Sequence, residues 1–292
     1  MSEAVRTITV LGAGTMGRGI AHVAALGGFA TRLFDVAETA LASAREGIAA
    51  NLDRGVARRK VGAEEAAAAL ARLALHTQLA TAVADADLVI EAAPESLPLK
   101  AELFAAAARH APETALFASN TSALSITELA AAAGRPARFA GMHFFNPVHL
   151  MRLVELVRGL ETAEATLAAL AGVARAMGKE VIVVRDVPGF ATSRINALLG
   201  NEAFRMLEQG VASAEDLDKA VTLGLNHPMG PFEMVDLVGL DVRLAILEHL
   251  HATLGEAYRP TALHRQYVRA GRLGRKSGRG VHRYDAEGRR IP

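Results

Sequence analysis

The amino-acid sequence predicts an α/β protein in which a doubly wound, mostly parallel sheet is followed by a smaller, all-helical domain. Three observations predict it. Over the first 186 residues, short β-branched runs alternate with stretches of helical periodicity. A Gly-x-Gly-x-x-Gly hexapeptide, Gly12 to Gly17, joins the first of these runs to the helix after it. At Asp186-Val187-Pro188-Gly189 the alternation stops, and residues from about 191 to 255 carry helical pattern alone. The domains expected are therefore 1–186 and 187–292.

The strand runs are "RTITVLG" (6–12), "TRLFD" (31–35), "ADLVIEA" (86–92), "TALFASN" (114–120), "RFAGMHF" (138–144), "RLVELV" (152–157) and "EVIVVRD" (180–186). Several are apolar at successive positions, hence on both faces, as in strands covered by helices on each side of a sheet. Helical segments lie between them near 37–60, 98–110, 125–133 and 162–177. Strands separated by helices return in the same direction through right-handed crossovers, which makes the sheet mostly parallel. The Ala-rich stretches around 63–71 and 128–133 read as solvated helices, because alanine is the strongest helix former. Past 187, "TSRINALLGNEAFRMLEQG" stops at Gly210, a helix-ending glycine. "SAEDLDKAVTLGL" opens on Ser213 with Asp216 in capping spacing, and "DVRLAILEHLHATLG" has helical period.

Composition narrows the function classes. Half of the 292 residues are hydrophobic (51%), enough for a proper core. The formal charge of +1 provides no overall field for nucleic acid or an anionic membrane. The basic run from Arg272 to Arg283 has little aromatic interleaving, which argues against a nucleic-acid patch. There is no cysteine, so disulfides, thiolate nucleophiles and Cys-bound metals are excluded, in keeping with a reducing compartment. The N-terminal apolar run is too short for a signal peptide, and no stretch approaches the ~18 apolar residues of a membrane span. A cytoplasmic protein without nucleic-acid or membrane partners is expected.

Gly12-Ala13-Gly14-Thr15-Met16-Gly17 follows a strand and opens a helix. By itself such a hexapeptide also serves as a tight turn without any ligand. Here a second strand ends in Asp35, 23 residues beyond Gly12 (35 − 12), where an acidic residue binds a ribose in dinucleotide sites. Gly12 permits the sharp turn, Gly14 lets backbone approach a pyrophosphate, and Gly17 lets helix pack on strand. The helix N-terminus, with Thr15 and Met16 in its first turn, offers N–H groups to the anion. Asp35 accepts from ribose hydroxyls and repels a 2′-phosphate, which favours NAD over NADP. Arg32 points to the opposite face of its strand.

The stretch "GMHFFNPVHLMRLVELV" (141–157) sets two ionisable residues, His143 and Glu155, in runs that otherwise belong to a core. An unpaired buried charge is costly, so the two are paired or perform chemistry. Alcohol oxidation by hydride transfer needs a base for the hydroxyl proton, and histidine suits that task near neutral pH. A carboxylate on the other ring nitrogen fixes the tautomer and stabilises the imidazolium. A hairpin-like return from one strand to the next brings the two together. A core histidine satisfied by a carbonyl is the alternative, weakened by Glu155 in an equally apolar strand. His149, His227, His249 and His251 lack such a carboxylate. "SNTSAL" (119–124) follows a strand at the ligand-binding edge of the sheet; its polar groups either cap a helix or, at Ser122, reach a reacting hydroxyl.

The order "GAGTMGRGIA … SNTSAL … GMHFFNPVHLMRLVELV … DVPGF … GLNHPMGPFEMVDLVGLD … GRKSGRG" resembles the 3-hydroxyacyl-CoA dehydrogenase family, especially its short-chain 3-hydroxybutyryl-CoA branch, over about residues 5–285. The resemblance implies a Rossmann-type first domain that binds NAD, and oxidation of a (3S)-3-hydroxyacyl-CoA to the 3-oxoacyl-CoA. It implies that His143 is the general base and Glu155 its partner, and that Ser122 contacts the substrate oxygen. Glu95, Lys100, Ser122, Asn146 and Lys276 match family positions that contact the dinucleotide, and Asn51 and Arg58 match positions that contact CoA. The helical domain is where family members close the substrate cleft and pair their subunits, so a homodimer is expected.

One position departs from the family pattern. An Asn-Arg dipeptide that helps to hold substrate is Ser193-Arg194 here, and Asn196, three residues on, stands on the same helical face. Arg54 and Arg58 lie four apart beside Arg59 and Lys60, which serves either a CoA phosphate or a solvated helix end equally well. No fused hydratase segment is present, and a stand-alone dehydrogenase of fatty-acid metabolism is expected. The alternatives are the same chemistry on 3-hydroxyadipyl-CoA or a free hydroxy acid, and a dinucleotide-binding protein without catalysis.

Overall fold

The segment "TITVL" forms β1 (Thr7–Leu11), where β-branched and apolar side chains suit a pleated surface covered on both faces. In the computed structural model, which describes residues 5–291, Ile8, Val10 and Leu11 are wholly buried. Residues 1–4 and 292, where the outer bounds of both expected domains and the start of the chain fall, lie outside the described residues. The described chain divides between Val187 and Pro188.

In the first unit, β1 is followed by α1 (Thr15–Leu26), β2 (Ala30–Phe34), α2 (Glu38–Ala57), α3 (Ala63–Ala71), β3 (Leu73–His76) and α4 (Leu79–Val83). Then come β4 (Leu88–Glu91), α5 (Leu97–Ala108), β5 (Leu116–Ser119), α6 (Ile126–Ala133), β6 (Phe139–Phe144), β7 (Leu153–Arg158), α7 (Glu164–Ala176) and β8 (Glu180–Arg185). The strands make one eight-stranded sheet in the order β3-β2-β1-β4-β5-β6-β7-β8. The chain starts at β1, winds out to β3, and crosses back to β4. That reversal opens a crevice at the carboxyl ends of β1 and β4, where ligands bind in such sheets. Only the β6–β7 pairing is antiparallel; β8 then runs parallel to β7. The predicted mostly parallel, doubly wound sheet is thus the observed one.

Its core is continuous across the strands. All four residues of β4 and of β5, and all six of β6, are buried. Each fully buried large apolar side chain contributes roughly 1.5–3 kcal/mol relative to exposure. The outer strand β8 is mostly exposed, with only Val181 and Val184 half-buried, as befits an edge. The Ala-rich helices are not simply solvated: α3 buries Ala66 and Ala69, and α6 buries Ile126, Leu129, Ala130 and Ala133. Alanine there lets a helix lie close against its neighbours, a packing use as well as a propensity. β3 and α4 were not expected, because four and five residues are too short to show a period.

In the second unit, α8 (Thr192–Glu208), α9 (Ala214–Lys219), α10 (Pro231–Val238), α11 (Leu240–Leu254) and α12 (Ala262–Arg269) precede a two-stranded hairpin, β9 (Arg283–Tyr284) and β10 (Arg290–Ile291). Gly210, at φ +70, follows the end of α8 as the left-handed closing residue. The Ser213 hydroxyl accepts from the Asp216 amide at 3.1 Å and caps α9. The helical run predicted for 191–255 is interrupted after α8 and α9, and α12 and the hairpin extend the unit beyond it. Phe204, Phe232, Leu217, Val235 and Leu240 form its core.

Candidate active site

Three clefts open on the first unit, and they gather most of the residues singled out in the sequence. The first, about 670 Å³, is lined by Gly12, Gly14, Thr15, Met16 and Asp35, with Ala92, Ala93 and Pro94 opposite. Gly12 has φ +103, and a Cβ on it would lie 2.8 Å from the Ala92 carbonyl oxygen. A Cβ on Gly17 would lie 1.7 Å from the Gly12 carbonyl oxygen, so only glycine lets α1 leave the strand this closely. Gly14 is different: a Cβ there would meet nothing within 4 Å. The space over the turn is open, α1 has no side-chain cap, and its first turn has no acidic residue. Amide N–H groups therefore face a cleft with room for an anion. These residues fit a dinucleotide.

Asp35 stands at the rim of this cleft. Its carboxylate accepts from the Ala13 amide at 2.8 Å and the Ala37 amide at 3.0 Å. A carboxylate has about four acceptor sites. Two are thus spent on holding the loop, and the rest are available to hydroxyls. Arg32 turns away and pairs with Asp85.

The second cleft, about 370 Å³, is lined by His143, Ser122, Glu95, Lys100 and Asn146, with Asn120, Phe145 and Met16. His143 sits on β6 directly opposite Glu155 on β7. The Nδ1 atom lies 2.7 Å from Glu155 Oε2. Glu155 is 0% exposed and His143 7%. The antiparallel return of β7 brings these groups together, since residues opposite one another in such a pair place their side chains on the same face. An ionised carboxylate only accepts, so the ring hydrogen belongs on Nδ1 and the lone pair on Nε2. His143 also packs on Phe145, ring centroids 4.5 Å apart.

The turn that carries Ser122 is held from two sides. Asn120 Oδ1 accepts from the Phe144 amide at 2.9 Å, tying the turn to the residue after His143. Glu95 accepts from the Thr121 hydroxyl and, at 3.1 Å, from the Ser122 amide. The helix cap in this region is Ser125, which accepts from the Glu128 amide, so Asn120 and Ser122 are not spent on capping α6.

The third cleft, about 350 Å³, contains Asn51, Arg54, Arg58 and Lys60 together with His22, His149 and Leu150. Arg54 donates to Asn51. Burial, with His149 and Lys179 adding to it, lowers the His22 pKa from 6.5 to about 4, and its Nδ1 has no hydrogen-bond partner. The buried Lys179 amine donates to the Val148 and Met151 carbonyls, fixing the loop between β6 and β7. Burial also lowers the Lys179 pKa.

The remaining predicted residues lie on the second unit. Ser193 and Asn196 are half-buried on α8, and Lys276 is paired with Asp241 at 2.6 Å. This unit also holds a buried His–carboxylate pair that the sequence reading did not find, His282 Nε2 to Asp218 Oδ2 at 2.7 Å. Asp218 additionally accepts from the Phe232 amide, and neither residue lines any of the three clefts, so the pair acts as an internal pin. Among the described residues, no cluster of His, Asp and Glu is arranged to hold a metal, and no helix is long and apolar enough to cross a membrane.

Sequence reasoning also passed over Glu91, Phe145, His22 and Lys179, and considered Asn120 only as a helix cap. Glu91 carries the same signal that marks His143 and Glu155: a charge inside an apolar strand, "LVIE".

Residues 7–187 match the family described as "3-hydroxyacyl-CoA dehydrogenase, NAD binding domain", and residues 189–284 match "3-hydroxyacyl-CoA dehydrogenase, C-terminal domain". A 3-hydroxybutyryl-CoA dehydrogenase of Bradyrhizobium diazoefficiens is 45% identical over 285 residues, covering 97% of each chain. A 3-hydroxyadipyl-CoA dehydrogenase of Escherichia coli is 42% identical over 285 residues, covering 97% of this chain and 60% of that one. The crystal structure of an (S)-3-hydroxybutyryl-CoA dehydrogenase from Ralstonia eutropha superimposes with a TM-score of 0.93 at 43% identity, covering 97% of this chain and 100% of that one. Matched in both units by one family, and by relatives along nearly its whole length, this chain belongs to the 3-hydroxyacyl-CoA dehydrogenase family, with NAD as the cofactor of its first unit.

Proposed function

We propose that this protein oxidises a short-chain (3S)-3-hydroxyacyl-CoA, such as 3-hydroxybutyryl-CoA, to the 3-oxoacyl-CoA with NAD, reversibly, with His143 as general base. The observation that carries the reading is the 2.7 Å contact between His143 Nδ1 and a fully buried Glu155, on a histidine that lines a cleft. NAD, when bound, supplies the hydride acceptor. His143 Nε2 takes the hydroxyl proton, and Glu155 stabilises the imidazolium that results and keeps the ring in the required tautomer. In the reverse direction the same nitrogen returns the proton to the carbonyl oxygen. Ser122 hydrogen-bonds that oxygen.

Gly12, Gly14, Thr15, Met16 and Gly17 shape the pyrophosphate turn, and Asp35 takes the ribose hydroxyls. Glu95, Lys100, Ser122 and Asn146 border the nicotinamide end, and Lys276 matches a further family position for the same cofactor. Asn51 and Arg58, beside Arg54 and Lys60, receive the phosphates of CoA. Ser193, with Asn196 one helical turn on, takes over the substrate contact made by asparagine in the family. The protein acts in the cytoplasm, in fatty-acid metabolism including β-oxidation, as a homodimer paired through its helical unit, which exposes Leu223, Leu225 and Leu237.

The test is NADH oxidation with acetoacetyl-CoA, followed by absorbance. His143→Ala is expected to lower turnover by about 10²–10⁴-fold while NADH binding persists. Glu155→Gln, which no longer carries the charge, is expected to lose about 100-fold or more. An active His143→Ala variant removes the assignment of the base. Comparing acetoacetyl-CoA with 3-oxoadipyl-CoA fixes the tail preference.

A further inference from the structure

Glu91 ends β4 wholly buried, and Lys100, on α5, is 1% exposed. A core that needed only to pack would place apolar residues at both positions, since burying an ion pair seldom stabilises more than well-packed hydrocarbon. The pair is instead fully connected. Glu91 Oε1 accepts from Lys100 Nζ at 2.6 Å and from the Ala93 amide at 2.6 Å, and Oε2 accepts from the Ser119 hydroxyl at 2.6 Å. Three oxygens surround the Lys100 ammonium: Glu91 at 2.6 Å, the Ala93 carbonyl at 3.0 Å and Glu95 Oε2 at 3.3 Å. Two of the three ammonium donors are hydrogen-bonded to Glu91 and Ala93, and Glu95 stands beside them as an ion pair.

We propose that Glu91 is a positioning residue and Lys100 its strut, together setting the wall between the dinucleotide cleft and the His143 cleft. Ala92 and Ala93 line both clefts, and both peptide groups of Ala93 are fastened by this pair. From Lys100 the chain of contacts continues through Glu95 to the Ser122 amide, and from Glu91 through Ser119 to the Thr121 amide at 3.3 Å. The same two charges therefore hold the strand-end that faces the dinucleotide turn and the turn that presents Ser122. This inference rests on the function proposed above and deepens it.

The experiment replaces the pair by hydrocarbon of similar size, Glu91→Leu with Lys100→Met in one chain, and adds the isosteric single change Glu91→Gln. Thermal unfolding, the NADH Kd from fluorescence, and separate kcat and KM values with acetoacetyl-CoA are measured. A positioning pair keeps the melting temperature of the double variant within a few degrees of wild type while kcat/KM falls by about 10–100-fold and the NADH Kd rises about tenfold. Wild-type kinetics in a folded double variant overturns the proposal and leaves the pair a structural one. If the double variant does not fold, Glu91→Gln decides: lowered kcat/KM at unchanged melting temperature supports it, and unchanged kinetics overturns it. An inactive wild-type protein would instead sink the proposed function, so the two failures are told apart.

Discussion

His143 and Glu155 stand 12 residues apart in the chain and 2.7 Å apart in the fold. Each was conspicuous in the sequence for the same reason, a titratable group inside an apolar strand, and burial makes each the natural partner of the other. Glu91 obeyed the same rule and was passed over, because its partner Lys100 lies on a separate helix, α5, and nothing along the chain shows that the two meet. Among the histidines, His22 has its acid–base behaviour strongly altered by burial. Its folded pKa is about 4 against 6.5, so between those values the unfolded chain binds a proton that the folded chain refuses. Stability therefore rises with pH across this window and is lost as pH falls through it, by on the order of 3 kcal/mol. His22→Leu is expected to flatten that slope in urea titrations run from pH 4 to 6.5. An unaltered slope would show that His22 does not set it.

At the scale of elements, the strand–turn–helix from β1 to α1 separates two uses of glycine. Gly17 is required by packing, since an added Cβ would sit 1.7 Å from a carbonyl oxygen. Gly14 is open, with φ −64 and no atom within 4 Å of an added Cβ. Gly17→Ala is expected to cost about 1–3 kcal/mol or more and lower the melting temperature. Gly14→Ala is expected to melt like wild type but bind NADH weaker by about tenfold, because its methyl occupies the pyrophosphate's approach. Equal melting losses in the two variants would contradict this division. The strands that were legible, β1, β2 and β4 to β8, are those whose short apolar or β-branched runs are set off from the helical segments around them. β3 was not, because "LALH" follows an alanine helix with no change of composition and owes its strand form to pairing with β2.

Over the whole molecule, net charge is close to zero, so any attraction for an acidic ligand is local, and the third cleft concentrates it in Arg54, Arg58 and Lys60. The second unit keeps its C-terminal hairpin by buried carboxylates: Asp236 accepts from the Val281 and His282 amides and the Tyr284 hydroxyl. Burial raises the Asp236 pKa against the pull of these donors. Leu223 is 83% exposed and Leu225 64%, which makes them the residues on which the proposed homodimer is tested. Sedimentation is expected to find a dimer, and the double change Leu223→Glu with Leu225→Glu to shift it to monomer at micromolar concentration. A dimer unaffected by both charges would place the contact elsewhere.

What the sequence determined by itself was local or periodic: strand and helix alternation, the glycine turn with Asp35, the break at Pro188, and two misplaced charges in apolar strands. Those signals survive in one dimension because they depend on neighbours a few residues away. The tertiary structure alone decided which long-range groups meet: Glu91 with Lys100 and Ser119, Asn120 with the Phe144 amide, His282 with Asp218. Each of these bonds satisfies a polar group that burial has cut off from water, and burial is a property of the packed fold, not of any segment within it.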